Sequence, residues 1–492
     1  MISKERIYRS LDTPLHIPKI SIFSHVFLNK QLGPEHPAFV DVASGRPYSR
    51  ENVHSLSLQL AWAVQNILHI NKDEVVAILS VNSALWAITF LGCIAAGARI
   101  TTINSAYTPT ELQYQLKDCG AYHVFVHPLQ FTVLKETFKS MGVSEVEARK
   151  RIIIIDPLGT YTGLDGWTRY EDLLDKGRLQ REQISNPQLS QDATLLCYSS
   201  GTSGLSKGVE LFHRNVISVV AMCAFKMDYL TPTATVAAVL PFFDFSSLKV
   251  LASGAAPASE GLALAVYNRL TKRGANVSVV QGWGMTETCA PSTSTPLNLW
   301  RTKINTSGAL MPNMEARIVR DDGTDVPDGE VGEIWVRGPC VMKGYWHNDE
   351  ATKETMTADS WLKTGDIGTI DGDGFLTVID RKKELIKYKQ ETESTVLLVP
   401  PAELEGLLLT HPNIADAAVI GIWSEANSSE YPRAYIVPRG GISSLNSDKD
   451  KAAFCEEVEA WIRKRVAKHK YLRGGVRLVD SIPKNMSVTQ RV

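Results

Sequence analysis

The residues best equipped for chemistry stand in four short strings. The first, Tyr198-Ser-Ser-Gly-Thr-Ser-Gly-Leu-Ser-Lys-Gly-Val209, follows an apolar stretch and packs three glycines, five serine or threonine hydroxyls and one ammonium into twelve residues. Such a loop can aim backbone N–H groups, hydroxyls and the Lys207 side chain at phosphate oxygens. It is not a Walker A loop, because Ser206 rather than glycine precedes Lys207. Taken alone, it also reads as a polar surface turn. In the second string, Gln281-Gly-Trp-Gly-Met-Thr-Glu287, Trp283 lies between two glycines and offers a flat face within reach of a purine. Thr286 adds a neutral donor, and Glu287 a hard oxygen ligand for a metal that prefers phosphate and carboxylate. The third string is Trp361-Leu-Lys-Thr-Gly-Asp-Ile367, and the fourth is the charged run Asp380-Arg-Lys-Lys-Glu-Leu-Ile-Lys-Tyr-Lys389, which also reads as a solvated strand between domains.

Together these strings resemble the signature segments of the adenylate-forming superfamily of acyl-CoA synthetases, luciferases and peptide-synthetase adenylation domains, in flavour nearest the 4-coumarate-CoA ligases. The resemblance implies that Ser199, Ser200, Gly201, Thr202, Ser203, Gly204 and Lys207 clamp the phosphates of ATP, with Ser206 where the family usually has proline. It makes the aromatic of Gly282-Trp283-Gly284 the adenine platform, Thr286 an α-phosphate contact and Glu287 the ligand of Mg2+. Upstream, Ser253-Gly-Ala-Ala-Pro257 resembles the turn that borders the adenine and acyl pockets, which adds Gly254, Ala255 and Ala256. Asp366 inherits the ribose hydroxyls, Arg381 a contact to the nucleotide, and Lys383 a place near the hinge of a mobile small domain. The implied chemistry has two steps. A small-molecule carboxylic acid attacks the α-phosphorus of ATP, and the thiol of CoA then takes the acyl group from the acyl-AMP. Lys207, Thr286 and Glu287 are the expected catalytic set, since the first step needs spread charge neutralised by fixed donors and a cation.

Elements must position these strings, and 492 residues are enough for a large catalytic body with a satellite domain. From Glu51 to Phe125, helices alternate with short β-branched strands such as Val75–Leu79, the pattern of a parallel, covered sheet. Further strands are expected at Arg151–Ile155, Thr194–Tyr198 and Val277–Val280. Between Ala316 and Ile379, short strands separated by Asp322-Gly323 and Asp373-Gly374 turns predict a small antiparallel barrel. A compact α+β region with a charged helix over Phe454–Lys468 follows. The expected fold class is thus α/β, with an adenylation domain over 1–380 and a mobile α+β domain over 381–492.

Composition narrows the partners. Fifty-two basic residues against 53 acidic ones give no basic run of the kind that holds nucleic acid. Seven scattered cysteines without a C-x-x-C pair fit free thiols in a reducing compartment. The start has no secretory core, and the apolar stretch Ala84–Ala98 is too short for a bilayer crossing, so a cytoplasmic protein without an integral membrane segment is expected. No S-K-L-like peroxisomal signal closes the chain, although a truncated end leaves that destination open.

Three places depart from the family pattern. Leu240–Leu251, with Asp244 where the family has His, runs straight from one family block into another, so the chain reads as shortened near 243–245 by at least one βαβ-like unit, which takes about 30 residues. An exposed sheet edge is the expected consequence. Lys389-Gln-Glu-Thr-Glu-Ser-Thr-Val396 replaces a glycine-containing loop that faces the thiol's approach, with Gln390 at the glycine. Thr489 stands where the family's last lysine neutralises the adenylation transition state, a loss worth about 10² to 10³ in rate; Lys484 is no assured substitute. The expected activity is an ATP-dependent acid–thiol ligase for an aromatic or medium-chain acid. The alternatives are a loader of carrier-protein thiols and a nucleotide-binding pseudoenzyme.

Overall fold

The computed structural model describes residues 5–28, 33–41, 45–183, 193–199, 206–226, 248–254, 260–389, 396–425 and 429–483. Its largest element is an eight-stranded sheet. Val75–Leu79 lies at its middle, paired in parallel with Arg99–Ile103 on one side and His123–Val126 on the other. Ala193–Ser199 extends the first side in parallel, and Lys207–Phe212 and Gly344–Tyr345 then continue it antiparallel. Ile152–Ile154 and Thr168–Arg169 extend the second side in parallel. Val76 and Ile78 enter one apolar core, and Ala77 and Leu79 the other, so this strand is covered on both faces. That is why it reads as an unbroken apolar run.

The helices between these strands start and stop where their caps dictate. Ser83 accepts the N–H of Trp86 to open the helix Ala84–Ala96, and Gly97 closes it with φ +86°. Thr108 and Glu111 form a capping box, with Pro109 at the first turn of Pro109–Cys119. Ala84–Ala96 packs inside the protein; no helix among the described residues is long and apolar enough to cross a membrane.

Further along, Tyr8–Arg9, Glu315–Val319, Gly332–Arg337, Leu362–Ile370 and Leu376–Arg381 form a five-stranded antiparallel sheet, an open half-barrel. The Asp373-Gly374 turn joins its last two strands, with Gly374 at φ +82° and its N–H on the Asp371 carbonyl. Val250–Ser253 pairs in parallel with Ser278–Gln281, and among the described residues this pair stands as a sheet of its own. Leu262, on the helix Glu260–Thr271, is 55% exposed, so this layer is thinly covered.

Residues after Leu385 build a separate core from Ile386, Val399, Leu404, Val419, Ile436, Phe454 and Ile462, around the sheet Ile414–Ser424, Ser429–Pro438 and Val476–Leu478. The charged helix of this region spans Asp448–Arg463 rather than Phe454–Lys468, because Ser447 caps it by accepting the N–H of Asp450. Lys468–Lys470 forms a separate short turn of 3-10 helix.

Candidate active site

A cavity of about 940 Å³ opens between the edge of the large sheet, the strand Ser278–Gln281 and the half-barrel. Ser199 enters it from the carboxyl end of a parallel strand, the end at which open α/β sheets take their ligands. Lys207, first residue of the next strand, also lines it, and its Nζ sits 5.0 Å from the centroid of the Tyr345 ring. Just before Lys207, the carbonyl of Ser206 accepts from Tyr114 Oη at 2.9 Å, which tethers the position at which proline was the expectation. Ser200, Gly201, Thr202, Ser203 and Gly204 lie outside the described residues.

Trp283 is held in place by its own backbone. Its carbonyl accepts the N–H groups of Ser292 and Thr293, and its N–H donates to Thr293 Oγ1 at 3.0 Å. Gly282 is required by this close approach, since a Cβ there would come within 2.7 Å of the Thr293 carbonyl oxygen. The indole lines the cavity, and its Nε1 donates to Asp366 Oδ2 at 2.8 Å. Gly284, Thr286 and Gly254 also reach the cavity wall, whereas Ala255 and Ala256 lie outside the described residues. Glu287, 5% exposed, accepts from Ser199 Oγ at 3.1 Å and Tyr345 Oη at 2.9 Å, both on Oε1.

Asp366 and Arg381 face each other directly across two antiparallel strands, which explains their ion pair of 3.3 Å. Asp366 is 4% exposed. Burial raises its carboxyl above the ordinary range; Arg381 and the Trp283 hydrogen bond oppose that rise, and Glu287 and Asp380 add to it. Arg381, Lys382 and Lys383 line the cavity where the half-barrel hands over to the small domain. Asp380 bridges that passage, for its Oδ2 accepts the N–H of Ala402 at 3.1 Å.

The described members of the predicted site therefore converge: Ser199, Lys207, Gly254, Gly282, Trp283, Gly284, Thr286, Glu287, Arg381 and Lys383 line one cavity, and Asp366 is bonded to two of them. Sequence reasoning missed Tyr345, Thr293 and Tyr114. The Lys-Gly-Tyr-Trp string around Tyr345 carries no local signal for its contact with Glu287, which is 58 positions away.

Comparison with known proteins gives the family and the fold. Residues 28–245 and 243–346 match the model of the AMP-binding enzymes, and residues 403–488 match that of the AMP-binding enzyme C-terminal domain. The chain belongs to this family of AMP-binding enzymes. It is 32% identical to a probable CoA ligase of Humulus lupulus over 98% of this chain and 94% of that one. It is also 32% identical to a 4-coumarate-CoA ligase-like protein of Oryza sativa subsp. japonica, over 97% and 93% of the two chains. Among solved structures, that of the anthranilate CoA ligase AuaEII with anthranoyl-AMP superposes with a TM-score of 0.78 at 20% identity, covering 97% of this chain and 96% of the other.

Proposed function

We propose that the protein joins a carboxylic acid to the thiol of CoA at the expense of ATP, through an acyl-AMP intermediate. The observation that carries this reading is the convergence of Ser199, Lys207, Trp283, Thr286, Glu287 and Arg381 on one cavity, with Asp366 bonded to Trp283 and Arg381 at its wall. Trp283 gives adenine a flat wall, and Asp366 takes the two ribose hydroxyls, a pairing suited to a carboxylate. Ser199, Lys207 and Thr286 meet the phosphates. The same cavity is also lined by Val280, Met285, Pro291, Leu297 and Met311, apolar side chains suited to an aromatic or medium-chain acyl group. In this reading 1–380 forms the adenylating body, 381–492 the small domain, and Lys383 the hinge.

In the first step the acid's oxygen attacks the α-phosphorus and pyrophosphate leaves. Lys207 and the Thr286 hydroxyl stabilise the charge that builds on the phosphate oxygens. In the second step the thiol sulfur attacks the acyl carbonyl, and AMP departs with the oxygen the acid brought. Glu287 fits Mg2+: it is a buried carboxylate whose described partners are two hydroxyls on Oε1, which leaves its charge for a cation that takes most of its ligands from phosphate and water. When bound, that ion supplies neutralisation of the phosphate charge.

A second reading, nucleotide binding with impaired turnover, is favoured by a specific observation. The family match comes in two stretches that meet at 243–245, and Val250–Ser253 pairs with one strand alone among the described residues. Asp244, Gln390 and Thr489, the other departures, lie outside the described residues. Exchange of labelled pyrophosphate into ATP, measured with a panel of hydroxycinnamic, benzoic and fatty acids, decides between the two. Acid-dependent exchange supports the ligase. Nucleotide binding without exchange selects the second reading.

A further inference from the structure

Tyr345 touches both charges that the reaction depends on. Its hydroxyl donates to Glu287 Oε1 at 2.9 Å, while its ring face carries the Lys207 ammonium 5.0 Å from the centroid. Its backbone is anchored to the helix Asp349–Thr355, since its N–H donates to Thr352 Oγ1 at 2.9 Å. Tyr345 is 8% exposed, so little water competes for the bond its hydroxyl donates.

Both described donors to Glu287, Ser199 Oγ and Tyr345 Oη, sit on Oε1, and among the described residues neither is on Oε2. A carboxylate free to rotate presents a cation with a blurred target. Two donors on one oxygen fix its plane and leave the other oxygen pointing elsewhere.

We propose that Tyr345 is a positioning residue that aims Glu287 at the nucleotide-bound metal and, through its ring, holds Lys207 over the same phosphates. The inference rests on the reading of Glu287 as the metal's carboxylate. It makes Tyr345, 58 positions from Glu287 in sequence, part of the apparatus that aligns cation and ammonium before ATP arrives.

The test uses the full-length protein with a non-hydrolysable ATP analogue, titrated with Mn2+ and followed by electron paramagnetic resonance. Tyr345→Phe keeps the ring under Lys207 and removes the hydroxyl; it is expected to weaken Mn2+ binding about 10-fold while metal-free binding of the analogue stays as in the parent. Tyr345→Leu removes ring and hydroxyl and is expected to weaken both. In Glu287→Ala, adding Tyr345→Phe should cost nothing further, because the residue it orients is gone. Should Tyr345→Phe not fold, Thr352→Val, which removes the hydroxyl that accepts the Tyr345 N–H, is expected to shift Mn2+ binding in the same direction by less. Parental Mn2+ affinity in the folded Tyr345 or Thr352 variants, beside a loss in Glu287→Ala, overturns this inference alone. Parental affinity in Glu287→Ala as well overturns the metal reading beneath it.

Discussion

Replacing Asp366 by Asn separates what the residue costs the fold from what it gives the site. The carboxylate is 4% exposed and touches Trp283 Nε1 at 2.8 Å and Arg381 Nε at 3.3 Å, yet burial still holds its pKa above the ordinary 3.8. The folded protein therefore disfavours the ionised form despite both partners. Between 3.8 and the raised folded value, the native state binds more protons than the unfolded chain, so stability falls as pH rises across that window and levels off above it. An amide of the same shape has no such loss. Asp366→Asn should gain stability relative to the parent as pH rises from the acid side, and hold that gain at neutral pH. Nucleotide binding should move the other way. Two hydrogen bonds from the ribose hydroxyls, each weakened by about 1 to 1.5 kcal/mol when the acceptor loses its charge, cost about 2 to 3 kcal/mol, or about 30- to 150-fold in ATP affinity. Thermal unfolding across pH and calorimetric titration with an ATP analogue read the two halves. An affinity within about fivefold of the parent, or a variant that loses relative stability as pH rises, refutes the reasoning.

Three further outcomes follow from the same structure. Lys207→Ala should lower acid-dependent pyrophosphate exchange by about 10² to 10³, as for the loss of one preorganised charge donor; initial rates at saturating ATP check it. Gly308→Ala should destabilise by at least about 2 kcal/mol in urea unfolding, because φ is +93° and the new Cβ would meet the Ser294 carbonyl carbon at 2.3 Å, beside the cavity wall. His123 is pushed down to about 4, chiefly by burial, so the unfolded chain takes up a proton from 6.5 downward while the native state does not. Stability should fall as pH drops from 6.5 towards 4, and His123→Gln should flatten that part of the profile measured by thermal unfolding.

Local elements were largely legible in the sequence, since local signals create them. Val75–Leu79 is β-branched and apolar on both faces because both faces are covered, and Ser83 and Gly97 mark the ends of the apolar helix as caps should. The charged helix starts at Asp448 rather than Phe454, because the side chain of Ser447 caps it there. Strand order was not legible: nothing within Ala193–Ser199 says that it lies beside Arg99–Ile103 rather than Ile152–Ile154. The phosphate, adenine and ribose strings stood out by residue type, and the fold brings their described residues to one cavity. Their couplings did not stand out. Trp283 bonds Asp366 across 83 positions, Ser199 bonds Glu287 across 88, and the Asp366–Arg381 pair depends on strand register. Such contacts are products of topology, and no spacing rule reaches them.

Isotope transfer tests the central claim most directly. An acid labelled with oxygen-18 in its carboxylate, turned over with ATP and CoA, should leave one labelled oxygen in the phosphate of AMP and one in the thioester, because AMP departs with the oxygen that attacked the α-phosphorus. Unlabelled AMP beside a formed thioester, or label in inorganic phosphate with ADP as co-product, would contradict an acyl-AMP route.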